Sequence, residues 1–149
     1  MRAAVAAISG VLILGVGVSP AVAKKKPKPK PISGSYQAMA LPDPGNEVSG
    51  TLCRGVSPTA WGEHLHDFKA PAAGVLDVTL TGYSGDWDLA IRDPDGDNAG
   101  ESGSGQYPPV MGRDEQAVVK IKRAATYTIV ACNWAGSPTA TVKYTFTFS

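Results

Sequence analysis

The chain has 149 residues, is 43% hydrophobic and carries a formal net charge of +1. That is enough for one domain around one core. The near-neutral total conceals a basic arm on an acidic body: all 13 acids but only 8 of 14 bases lie beyond Pro31, a balance of −5. An acidic body argues against nucleic acid as a partner.

The N-terminus reads as a secretory signal peptide over residues 1–23. Arg2 supplies the positive end, and Val5–Val18 is apolar apart from Ser9 and three glycines. Ala21-Val22-Ala23 fits a small-x-small cleavage site. The apolar run is too short for a stable membrane span, which needs about 20 apolar residues. The expected location is therefore secreted and extracellular. Residues 24–35 follow as a linker that opens KKKPKPKP, an extended, solvated tether that reads first as a spacer holding the fold clear of the translocation machinery or cell surface, with contact to anionic wall polymers or head groups as the alternative. The domain is placed at residues 36–149, as a monomer.

Glycines and prolines punctuate the rest, and no stretch holds a helical period. Strands are expected instead at Val48–Cys53, His64–Lys69, Val75–Thr81, Gly85–Arg92, Gln116–Lys122, Thr126–Trp134 and Thr139–Phe148. The alternation is clearest where Leu76, Val78 and Leu80 share one face, and where Val142, Tyr144, Phe146 and Phe148 do. Residues 99–113, rich in glycine with two adjacent prolines, read as a mobile loop. About seven or eight short strands predict an all-β, two-sheet sandwich of jelly-roll or Greek-key type.

Cys53 and Cys132 are the only cysteines. In an oxidising compartment an even pair reads as a disulfide, here joining an early strand to a late one. A loop of this length is worth about 4–5 kcal/mol in the chain-entropy model.

The segment GDWDLAIRDPDG, Gly85–Gly96, puts Trp87, Leu89 and Ile91 on one strand face and Asp86 and Asp88 on the other. Asp93, Asp95 and Asp97 follow in the turn. Together with VSGTL at Val48–Leu52, DFKAPAAGVLDVTL at Asp67–Leu80, ATYTIVA at Ala125–Ala131 and YTFTF at Tyr144–Phe148, it resembles the bacterial pre-peptidase C-terminal domain. Ala124-Ala125 stands where that family usually has Gly. The resemblance implies a small noncatalytic β-sandwich, some of whose relatives bind collagen, polysaccharide or calcium. The domain is expected to stand alone, without an attached protease.

Calcium takes six to eight oxygen ligands, and Asp86, Asp88, Asp93, Asp95 and Asp97 form a candidate set. The simpler reading is that Asp-Pro and Asp-Gly build turns. The loop lacks EF-hand spacing: Gly96 comes too early and Ser104 stands where the Glu would fall. Upstream, only Asp43, Asn46 and Glu47 are at hand, without the family's acidic-Asn run. No cofactor is required, with calcium the one candidate.

His64 and His66 share a strand face and are the only histidines, so they are expected as two imidazoles on a solvated face opposite Leu65. Trp61, Tyr83, Tyr107 and Trp134 lie in or near turns and are candidates for stacking against sugars; Trp61 and Trp134 have the alternative of packing near the cysteines. No Gly-x-Ser-x-Gly elbow or triad motif is present, and the chain reads as noncatalytic rather than as an enzyme. The expected function is a secreted binding or adhesion module for polysaccharide, cell wall or matrix protein. The alternatives are an accessory protein acting through a partner or, least favoured, a hydrolase.

Overall fold

The computed structural model describes residues 27–42, 62–102 and 114–149. Among them are eight strands: β1 (Ile32–Met39), β2 (Glu63–Ala70), β3 (Gly74–Thr81), β4 (Gly85–Arg92), β5 (Asn98–Glu101), β6 (Glu115–Ile121), β7 (Ala125–Gly136) and β8 (Thr139–Phe148). They form two antiparallel four-stranded sheets, ordered β1-β8-β3-β6 and β2-β7-β4-β5.

The order has a simple logic. β1 pairs with β8, β2 with β7, β3 with β6 and β4 with β5. The chain is one long hairpin whose β4–β5 turn is the tip. Rolling it up alternates successive pairs between sheets and adds the β3–β8 and β4–β7 ladders. This is the jelly-roll arrangement.

The period-2 pattern of the sequence drives the collapse. Leu76, Val78 and Leu80 of β3, Trp87, Leu89 and Ile91 of β4, Ala117, Val119 and Ile121 of β6, and Val142 and Phe146 of β8 are all buried in one inter-sheet core. Each of the larger aliphatic or aromatic side chains among them contributes about 1.5–3 kcal/mol by leaving water. The Trp87 indole N–H donates to the Ser137 carbonyl (3.0 Å), so its one polar atom is satisfied inside the core. At the same end Asn133, 1% exposed, donates from Nδ2 to the carbonyls of Ala40 (2.7 Å) and Ser137 (3.0 Å). That one amide ties the end of β1 to the β7–β8 hairpin.

Beside it Gly85 and Gly136 face each other across β4 and β7, both at positive φ (94° and 113°). A Cβ on Gly85 would run into the Ala135 carbonyl, and one on Gly136 into the Ser84 carbonyl. Only glycine accepts both the dihedral and the close approach.

Three features depart from the sequence reading. Ile32–Ser35, expected as linker, form the first half of β1 against β8. These residues have weak strand propensity, and pairing with a strongly patterned neighbour orders them. Residues 99–101, expected within the loop 99–113, form with Asn98 the edge strand β5 on β4, with a register shift after Ile91. Here the backbone of β4 supplies a template that composition does not reveal.

The third departure is β2, where His64 and His66 face inward and Leu65 faces out at 55% exposure. Their parity is that of Phe68 and Ala70, which are buried in the core. His66 stacks on Tyr36 of β1 with ring centroids 4.0 Å apart, and His64 Nδ1 accepts from the Met39 N–H (3.3 Å). The histidines thus bridge the edge strands of the two sheets. Desolvation by burial, then the neighbouring His64, lower the pKa of His66, with Asp67 opposing.

The expected strand Val48–Cys53 and the apolar run Val5–Val18 lie outside the described residues. Among the described residues no helix is long and apolar enough to cross a membrane.

Candidate functional site

The start of β4 carries the most perturbed carboxylate. Trp87 pairs with Asn133 but Asp86 pairs with Ala135, so β7 fits one extra residue, Trp134, between them. This is a β-bulge, which bends the strand and re-aims side chains. Asp86 and Asp88 share the face of β4 opposite its core residues, beside this bulge. Cys132 lies directly across from Asp88. It is buried in a small satellite cluster with Ala90 and Val130 and is not a free thiol. Cys53 lies outside the described residues.

Burial raises the Asp88 pKa to about 7, and the charges of Asp86, Glu115 and Glu101 add to the rise. The Trp134 indole N–H favours the carboxylate and opposes it, though the buried Nε1 lacks hydrogen-bond geometry to any described group. Burial also raises Asp86. Glu115, first residue of β6, is raised by burial, then by Asp86, while the Ser102 hydroxyl favours its charged form. The three carboxyls form an acidic end of the sandwich, each raised above its ordinary value and Asp88 raised to about 7. Like charges in a partly desolvated place make each ionisation harder than in water.

The turn acids stand elsewhere. Asp93 Oδ1 accepts the backbone N–H groups of Asp95 (2.9 Å) and Asp97 (3.0 Å), and the Gly96 N–H donates to the Asp93 carbonyl (3.0 Å). Gly96 sits at φ 88°. Asp93 thereby builds the turn, as an Asx motif does. Asp95 faces Arg123 at 3.7 Å on the surface. Five residues of extended strand separate Asp88 from Asp93, about 16 Å at ~3.3 Å per residue. The five aspartates are therefore two groups at opposite ends of β4. Among the described residues no group of three or more His, Cys, Asp or Glu could hold a metal ion.

The stacking candidates divide similarly. Tyr83 packs tilted on Trp87, centroids 6.2 Å apart, and burial with nearby Glu115 and Asp114 raises its phenol pKa. Trp134 occupies the bulge on the acidic side. Both are partly buried. Trp61 and Tyr107 lie outside the described residues. Glu115 and Ser102 are absent from the sequence-derived site. Extending the Ala117–Val119–Ile121 face back by two places Glu115 on the core side, and that signal was available. Ser102, 1% exposed, trades hydrogen bonds with the Leu89 backbone, a contact that only tertiary pairing creates.

No family model matches this chain, and no curated protein matches it.

Proposed function

We propose that this chain is a secreted, noncatalytic jelly-roll module of pre-peptidase C-terminal type that binds extracellular polysaccharide or matrix protein. The observation that carries this reading is the outer face of the β1-β8-β3-β6 sheet. Ladder pairing sets Ser33 beside Thr145 and Asp77, Ser35 beside Lys143 and Thr79, and Gln37 beside Thr141 and Thr81. The result is a polar grid about 4.8 Å by 6.7 Å, from the strand spacing and two residues of rise. Hydroxyl and amide side chains at that pitch donate and accept, as sugar hydroxyls and peptide groups do. Ser33 and Thr145 already exchange one such bond (3.1 Å).

The test is retention of the full chain on insoluble polysaccharides and matrix proteins, with and without EDTA. Retention on at least one, reduced several-fold by Thr79→Arg together with Thr141→Arg, is the expected result. Failure on all of them in both buffers would overturn the reading, and retention lost only in EDTA would assign calcium a part in it.

Secretion goes with a Cys53–Cys132 disulfide. Exported protein is expected to gain no alkylation by mass until it is reduced. Two free thiols in that material would refute the pairing.

A further inference from the structure

The strand register sets two groups of charged side chains at opposite ends of the sandwich. Asp86, Asp88 and Glu115 lie at the end where β4 and β6 begin. The opposite end carries the turn acids Asp93, Asp95 and Asp97 together with a larger set of cations. The Val75 row joins Thr147 of β8 and Lys120 of β6. Lys122 and Arg123 follow β6 into its turn, and Lys69 pairs with Thr126 one residue from the end of the β2–β7 ladder. Lys28 and Lys30 reach the same end, because β1 starts there with Ile32 opposite Phe146. All six are exposed. Arg123 also faces Asp95 at 3.7 Å, an exposed pair that water screens.

We propose that this end, with the arm leading into it, is a docking surface for a linear polyanion of repeating phosphate charge. It rests on the binding-module reading and names its ligand class. The spacing argues for a linear chain. Lysines two apart in an extended, proline-rich segment repeat about every 6 Å. Lys120 and Lys122, two apart at the end of a strand, repeat at about 6.7 Å. β1 and β6 are three strand spacings apart, about 14 Å. The two ranks therefore lie within reach of one flexible polymer.

The probe is long-chain inorganic polyphosphate titrated into the full chain at low and moderate salt. Binding is expected at low salt, weakening at least tenfold between about 50 and 200 mM as counterions are reabsorbed. Lys120→Gln/Lys122→Gln/Arg123→Gln together should weaken it about tenfold and flatten the salt dependence, as should Lys28→Gln/Lys30→Gln. Asp86→Asn/Asp88→Asn should not weaken it, and unchanged melting temperatures show that the basic-end variants stay folded. Three results would each overturn the proposal: no polyphosphate binding at low salt, binding indifferent to the Lys120 triple variant, or binding only to anionic phosphatidylglycerol vesicles. Neutral-polysaccharide retention in any of these cases leaves the binding-module reading standing.

Discussion

Asp88→Asn is expected to stabilise the protein at pH 7. The Asp88 pKa rises from 3.8 to about 7 on folding, so the native state binds more protons than the unfolded chain between those values. Stability from this group is full below pH 3.8 and is lost as pH rises toward 7. The whole shift corresponds to about 4 kcal/mol at 1.36 kcal/mol per unit. Partial exposure and relaxation of the neighbours reduce that, and we expect a gain of about 1–2 kcal/mol for the variant.

His66 acts with the opposite sign. Its pKa is lowered on folding, so its contribution is present above 6.5 and is lost as pH falls through the depressed folded value. The difference between wild type and Asp88→Asn cancels this background. Denaturant melts of both from pH 4 to 8 should converge at the acid end and diverge toward pH 8. Parallel curves would show that Asp88 is solvated and ordinary.

Trp87→Ala should cost about 3–5 kcal/mol, the range for emptying a large aromatic site. Trp87 is 1% exposed at the centre of the acidic end of the core, against Tyr83. Trp87→Phe isolates the hydrogen bond from the packing. The Ser137 carbonyl keeps its bond from Asn133 when the indole is gone, so no acceptor is orphaned. Its cost should fall to about 1–2 kcal/mol. Equal losses for the two variants, by chemical denaturation, would mean that the indole N–H and not the ring volume holds this end together.

Most of the fold was legible because burial on one face writes a period of two into the sequence. Gly85–Arg92 and Thr139–Phe148 emerge with the bounds that the alternation alone suggests. β1 and β5 were not legible, since ISGSYQAM and NAGE carry little apolar alternation and owe their form to the strands beside them. The site was legible in part. Asp86 and Asp88 on the non-core face follow from parity, but their partner Glu115 comes from another strand of the other sheet.

The amino-acid sequence by itself determined that this is an all-β chain, which faces of its strands seek the core, and that a lysine-proline arm precedes an acidic body. Those properties are local, carried by neighbours two residues apart or by a run of composition. The tertiary structure alone decided the nested pairing of β1 with β8 through β4 with β5. It turned His64 and His66 inward, and split the aspartates of Gly85–Gly96 and Asp97 into a partly buried pair with raised pKa values and a turn. Each depends on register between residues far apart in sequence, where loop closure and packing across two sheets choose the partner.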